Sequence, residues 1–236
     1  MKYRYFLLII AFGFQSICSQ KMSAKDVLER AISYHDPKGV WENFKGTFYV
    51  TMESPNRPTR KSKINVDFQK SFFQLTVSMQ GHTTVSTLDK GACILLFDNQ
   101  EDFSEVIEKE YRLTCDRAEM YRDYYTYLYG LPMKLKNSGT LIDPIVQGKE
   151  IDGVPHWVLK VTYEPEVGGD TWYFYFDQKT HALKRYQFFH DESKNDGEYI
   201  VLKEELLVNG VRMPQNRSWY YNSDDKFLGT DYLSLE

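Results

Sequence analysis

Between residues 190 and 198 the chain sets a histidine among carboxylates, in the run His190-Asp191-Glu192-Ser193-Lys194-Asn195-Asp196-Gly197-Glu198. Such a run could supply a general acid and base or oxygen ligands for a divalent cation, with His190, Asp191 and Asp196 as the catalytic candidates. The spacing does not fit a calcium loop, which needs glycine sixth: counted from Asp191, Gly197 is seventh, and the closing glutamate is missing. The preferred reading is a hairpin connection, because Asn-Asp-Gly tolerates left-handed backbone and the charges face water. His35-Asp36 repeats the dipeptide His190-Asp191, but nothing in the sequence brings the two together, and a helix dipole explains a histidine at a helix end. His156 and His181 stand beside turns and are expected to be exposed. The chain has no GxSxG elbow, phosphate-binding glycine loop, HExxH or CxxC. The expectation therefore leans away from an enzyme, with no metal and no cofactor.

A second concentration mixes arginine with tyrosine: Arg112, Arg117, Tyr121, Arg122, Tyr124 and Tyr127. Arg117 could receive a carboxylate or phosphate head while tyrosine faces hold an acyl or sugar body. Ordinary packing of a helix on a sheet is the plainer alternative. Cys93 and Cys115 are a possible disulfide. An oxidising compartment would permit the bond, worth about 3 kcal/mol for a loop of this length, and two buried thiols fit equally well.

These groups sit in a chain of 236 residues with 42% apolar, 26% charged and 16% aromatic content, which excludes disorder, collagen-like repeats and a multi-span membrane protein. Lys2 and Arg4 precede the apolar run Phe6 to Phe14, followed by small and polar residues. That pattern predicts a signal peptide over 1–19, a mature chain from Gln20 with no transmembrane span, and export to the periplasm of a Gram-negative cell. Lipidation at Cys18, as in an outer-membrane lipoprotein, is the lesser alternative because Ile17 fits a lipobox poorly. The net charge of −4 falls to −6 when Lys2 and Arg4 leave with the leader, which argues against a nucleic-acid partner. Arg57 to Lys63, the nearest thing to a basic patch, reads as a solvated loop.

Without a repeat or linker, 20–236 is read as one domain. Ser23 and Asp26 open a helix carrying Val27, Leu28, Ala31 and Ile32 on one face, and Pro37 forces it to end. From Thr47 onward the period is two. Phe48, Val50 and Met52 begin it, and Phe73 with Leu75, Trp157 with Leu159, and Trp172 with Phe174 continue it. Between the strand runs, Phe103 to Glu110 is read as a short helix and Asp116 with Glu119 as the cap of a longer one ending at Gly130. About ten strands with an early helix and a central helical insertion predict an α+β fold: a large curved antiparallel sheet, an incomplete barrel, covered by the helices.

The segments HDPKGVWENFKGTF (35–48), RLTCDRAEMYRDYYTYLYGLPMKLK (112–136), DTWYFYFDQKTHALKRYQFFHDESKNDGEYI (170–200) and MPQNRSWYYNSDDKFLGTD (213–231) resemble an uncharacterised family of exported proteins common in Gram-negative Bacteroidetes. The order of elements, with the phrase Tyr175-Phe176-Asp177-Gln178-Lys179-Thr180-His181-Ala182-Leu183, is similar to the LolA/LolB lipoprotein-carrier superfamily. That resemblance implies acyl chains held on the concave, helix-covered face of a half-barrel. The helix here is richer in tyrosine and charge than a lipid-facing helix would be.

The expected function is an exported protein binding an apolar or lipid-like ligand. Its lining is read as Phe73, Leu75, Trp157, Leu159, Trp172, Phe174 and Phe188, with Arg117 and Tyr124 at the mouth. The alternatives are a ligand-free interaction module of the envelope, and an envelope enzyme using acid and base groups near His190.

Overall fold

The computed structural model describes residues 22–236; the segment 1–19 read as a signal peptide, the cleavage expected before Gln20 and Cys18 lie outside the described residues. Helix α1 (Ala24–His35) starts as its capping residues require. The Asp26 amide donates to Ser23 Oγ at 3.1 Å, and the Ser23 amide donates back to the Asp26 carboxylate at 3.4 Å. Five strands follow as an antiparallel meander: β1 (Lys45–Glu53), β2 (Arg60–Asp67), β3 (Phe72–Met79), β4 (His82–Asp89) and β5 (Ala92–Phe97). Helices α2 (Glu105–Tyr111) and α3 (Cys115–Tyr129) interrupt them. The chain then returns to strands with β6 (Thr140–Ile142), β7 (Gln147–Ile151), β8 (Val154–Tyr163), β9 (Thr171–Asp177), β10 (Leu183–Phe189), β11 (Glu198–Val208), β12 (Val211–Tyr221) and β13 (Phe227–Ser234).

All join one sheet in the order β5-β4-β3-β2-β1-β13-β12-β11-β10-β9-β8-β6, with β7 also paired to β8. Its two ends do not pair with each other, so the barrel is incomplete, as the alternation and helix order predict. The sheet wraps around α3, because that one helix is held by strands from both halves. Tyr125 donates its hydroxyl to Ser62 on β2 at 3.1 Å, the Tyr127 and Tyr163 hydroxyls bond across to β8, and Arg217 on β12 donates to the Leu128 carbonyl at 3.4 Å.

The inward faces follow the period of two. Phe48, Ile64, Phe73, Leu159, Phe174 and Tyr186 join α1 and α3 in a single core. A side chain such as Phe174, wholly removed from solvent, contributes about 2 kcal/mol or more. Helix α1 plugs one end of the trough. His35 is fully buried there and bonds to two strands: its Nε2 accepts from the Leu183 amide at 2.9 Å, which leaves Nδ1–H to donate to the Arg212 carbonyl at 2.7 Å. The helix dipole alone does not account for that histidine.

Several expectations are corrected. Thirteen strands are present among the described residues, because β6, β7 and β13 carry no clear alternation; β13 has Gly229-Thr230-Asp231 at its centre yet joins β1 to β12. The basic stretch 57–63 is loop only at its start, since β2 begins at Arg60. Thr114, not Asp116, caps α3, accepting from the Arg117 amide at 3.2 Å, because it alone has the extended backbone that the position needs. His156 is buried rather than exposed, bonded through Nδ1 to the Val154 carbonyl at 2.8 Å, and His181 is half-buried. Among the described residues no helix is long and apolar enough to cross a membrane.

Candidate functional site

Helix α3 organises the open end of the trough. Its N-terminal residue is fixed to the edge strand β5 by a disulfide between Cys115 and Cys93. At the other end the indole of Trp41 lies so close to Gly130 that an added Cβ would sit 2.2 Å from the ring and 2.5 Å from the Thr126 carbonyl. Only glycine fits there, and the helix ends against that ring.

Clefts remain on both flanks of α3. The larger, of about 930 Å³, lies between α3 and the β8–β9 wall, within the range of small-molecule sites. Its aromatic surface comes from Tyr124 and Tyr127 on the helix, Tyr163 at the end of β8 and Trp172 on β9. Trp172 stacks on Phe188 at 4.8 Å between centroids and meets Tyr127 edge-on at 5.7 Å. Burial pushes the Tyr163 hydroxyl up to about 12, so it stays protonated and able to donate. Asp116, Glu119, Asp123 and Asp170 stand around the rim, with Lys134 the cation among them. Burial lowers the ammonium pKa of Lys134, and Asp123 partly offsets that. The cleft can therefore take an apolar or aromatic body, with hydroxyl donors inside and charge at its edge.

The smaller cleft, of about 220 Å³, lies beneath the first half of α3. It is bounded by Val50 and Met52 on β1, Arg60 on β2, Asp231 on β13, and Arg117, Tyr121, Tyr124 and Tyr125 on the helix. A third, of about 340 Å³, lies on the β3–β5 side and includes Phe73 and Cys93.

Of the nine residues read as lining, Trp172 borders the large cleft, Arg117 the small one, Tyr124 both, and Phe73 the third. Leu75, Leu159 and Phe174 instead belong to the closed core at 2% exposure or less, because α1 and α3 fill the trough over them. Trp157 and Phe188 are half-buried at the margins of that core. The face was legible, but the depth along each strand was not.

The polar run 190–198 builds the loop between β10 and β11. Asp191 accepts from the Ser193 amide at 3.0 Å and pairs with Lys194 at 2.9 Å, while Asp196 accepts from the Asp191 amide at 2.8 Å. This is a longer connection than a two-residue turn, with a short helical turn at Glu192–Lys194 and Gly197 at φ +79°. His190 is exposed and bonds Asp170 at 2.7 Å, which raises its pKa and ties the loop to the rim of the large cleft. No group of three or more metal-ligating side chains converges among the described residues.

Sequence reasoning missed Arg60, Lys134 and Asp170. A signal existed for Arg60: stepping back by twos from Ile64 through Ser62 puts it on the inward face. Lys134 and Asp170 lie outside the strands, where no periodicity points inward.

A model of a family of unknown function, DUF6503, matches residues 2–235. No curated protein matches the sequence significantly. Among solved structures, a LolA superfamily protein from Nitrosomonas europaea is similar with a TM-score of 0.51 at 11% identity, over 91% of this chain and 92% of that one. A DUF1329 family protein from Desulfovibrio piger has a TM-score of 0.47 at 7% identity, over 89% of this chain and 90% of that one. A domain assigned to outer membrane lipoprotein sorting, from Vibrio parahaemolyticus, has 0.47 at 9%, over 89% and 91%. The first of these likenesses is one of fold: the incomplete barrel is LolA-like.

Proposed function

The chain belongs to the DUF6503 family of unknown function and has a LolA-like fold, and from that premise we propose that it is an exported binding protein for an apolar or lipid-like ligand. The observation that carries the reading is the cleft of about 930 Å³ beside α3, walled by Tyr124, Tyr127, Tyr163 and Trp172 at the end of the trough that α1 does not plug. Aromatic walls accept an acyl or ring body at low entropy cost, and the hydroxyls orient its polar end. The leader-like segment 1–19 supports an envelope location, with the periplasm as the compartment, and the LolA-like fold supports a carrier-type binding protein. In this reading His190 and Asp170 organise the rim and perform no chemistry.

The test is the mass of the mature protein purified from a Gram-negative periplasm, recorded natively before and after solvent extraction, together with titration by the neutral fluorophore N-phenylnaphthylamine. A lipid-sized adduct that extraction removes is expected, with uptake of the fluorophore weakened by Trp172→Glu in a variant whose circular dichroism is unchanged. A protein that carries no adduct and takes up no fluorophore would overturn the reading in favour of an interaction module.

A further inference from the structure

The small cleft beneath α3 holds an arrangement that the packing of the fold does not require. The guanidinium carbons of Arg117 and Arg60 lie 4.8 and 4.7 Å from the centroid of one ring, that of Tyr121. Two cations on one aromatic ring repel each other, and cation–π contact offsets only part of that. Among the described residues neither arginine is in a salt bridge, although exposed lysines elsewhere in the chain find carboxylates. Arg117 reaches only the Tyr121 hydroxyl and the Met120 sulfur, both at 3.5 Å, and its Nε is buried without a partner.

Asp231, the carboxylate at this cleft, accepts from Trp219 Nε1 at 3.0 Å; burial raises its pKa, and that bond with the charges of Arg217 and Arg60 offsets part of the rise. Burial would likewise raise Tyr121, yet Arg60 and Arg117 together outweigh it and hold that phenol below its usual range. Two guanidinium groups thus share this cleft with one carboxylate, in a chain whose formal net charge is −4. Guanidinium forks are matched to planar or tetrahedral oxyanions, which they bind through paired N–H donors.

We propose that the cleft bounded by Arg60, Arg117 and Tyr121 is an anion-binding subsite that takes the carboxylate or phosphate head of an amphiphile whose apolar body lies along α3. Tyr124 and Met120 border both this cleft and the large one, so a single ligand would pass from one to the other beside those two side chains. This inference rests on the carrier reading and adds to it the charge class of the ligand. It also gives Arg60 a role: it selects for the head while the aromatic wall accepts the chain.

The experiment compares ligands of equal chain length by calorimetry on the mature protein: laurate and dodecyl phosphate against the neutral 1-dodecanol, with inorganic phosphate alone as a further arm. The anionic amphiphiles are expected to bind about tenfold or more tightly than dodecanol, the scale of one or two charge-assisted hydrogen bonds. Arg60→Gln and Arg117→Gln should each weaken binding of the anionic amphiphiles by a larger factor than that of dodecanol, and Arg60→Lys should retain part of the preference, which separates lost charge from lost folding. Equal affinities for all three amphiphiles would overturn the anion subsite and leave the carrier reading standing. Binding of no amphiphile would defeat the carrier reading, and binding of inorganic phosphate alone, abolished by Arg60→Gln, would keep the subsite and make the free ion its ligand.

Discussion

His35 shows how one side chain couples the fold to pH. Both ring nitrogens are committed, Nδ1–H to the Arg212 carbonyl and Nε2 to the Leu183 amide, so a second proton has no place to go. Burial holds its pKa below the usual 6.5. The unfolded chain therefore takes up the proton first as pH falls, and the stability present above about pH 6.5 is lost as the pH drops toward and through the folded value. His190, raised by Asp170, acts in the opposite sense, so the informative comparison keeps it in place. Urea midpoints of the wild type should fall between pH 7 and 5 more steeply than those of His35→Gln, which itself should be less stable at pH 7 by about 1–3 kcal/mol. Parallel profiles would show that His35 carries no such linkage. The residue was visible in the sequence as the end of a helix; its burial was not, because the two strands that enclose it lie some 150 residues away or more.

Helix α3 depends on its attachments more than on its own amphipathicity. Its tyrosines are spread around much of the barrel of the helix, and it is held by a disulfide at one end, by Trp41 against Gly130 at the other, and by the Ser62, Tyr163 and Arg217 bonds between. Removing the Cys93–Cys115 link, which closes a separation of 22 residues, should lower stability by about 3 kcal/mol in the double serine variant. Denaturation with and without reductant should show the same loss in the wild type and none in the variant. A variant as stable as the oxidised wild type would mean that packing alone holds the helix. The helix was legible from Gly130 and the hydrophobic spacing. Its true cap and its bond to β5 were not, since several polar residues compete for the cap and two cysteines in a sequence say nothing of their distance.

The sheet is a half-barrel made from two meanders that only the last strand unites. Pairs such as Val50 with Leu233 and Arg217 with Asp231 bring β13 between β1 and β12, closing the core over α3 from both sides. That closure leaves clefts along the helix rather than one continuous lumen, and it sets the energetics of occupancy. A ligand that binds only the folded protein stabilises it by mass action. At a free concentration 100 times the dissociation constant, laurate should raise the unfolding free energy by about 2.7 kcal/mol, read as a shift in the thermal or urea transition. No shift at saturating laurate would mean that it binds the folded chain no better than the unfolded one.

What the amino-acid sequence determined by itself was local. The period of two in the aromatic strands assigned their inward faces, Ser23 with Asp26 placed the first helix, and Pro37 ended it, because each depends on neighbours a few residues apart. The placement of Arg60 beside Arg117 and Tyr121, the burial of His35 and His156, the separation of core residues such as Leu75 and Leu159 from cleft residues such as Trp172, and the central position of β13 were decided by pairing between distant segments. Alternation reports which side of a sheet a residue faces and carries no information on what stands opposite it. The opposing surface here is α3, whose position is fixed by contacts with strands from both halves of the chain.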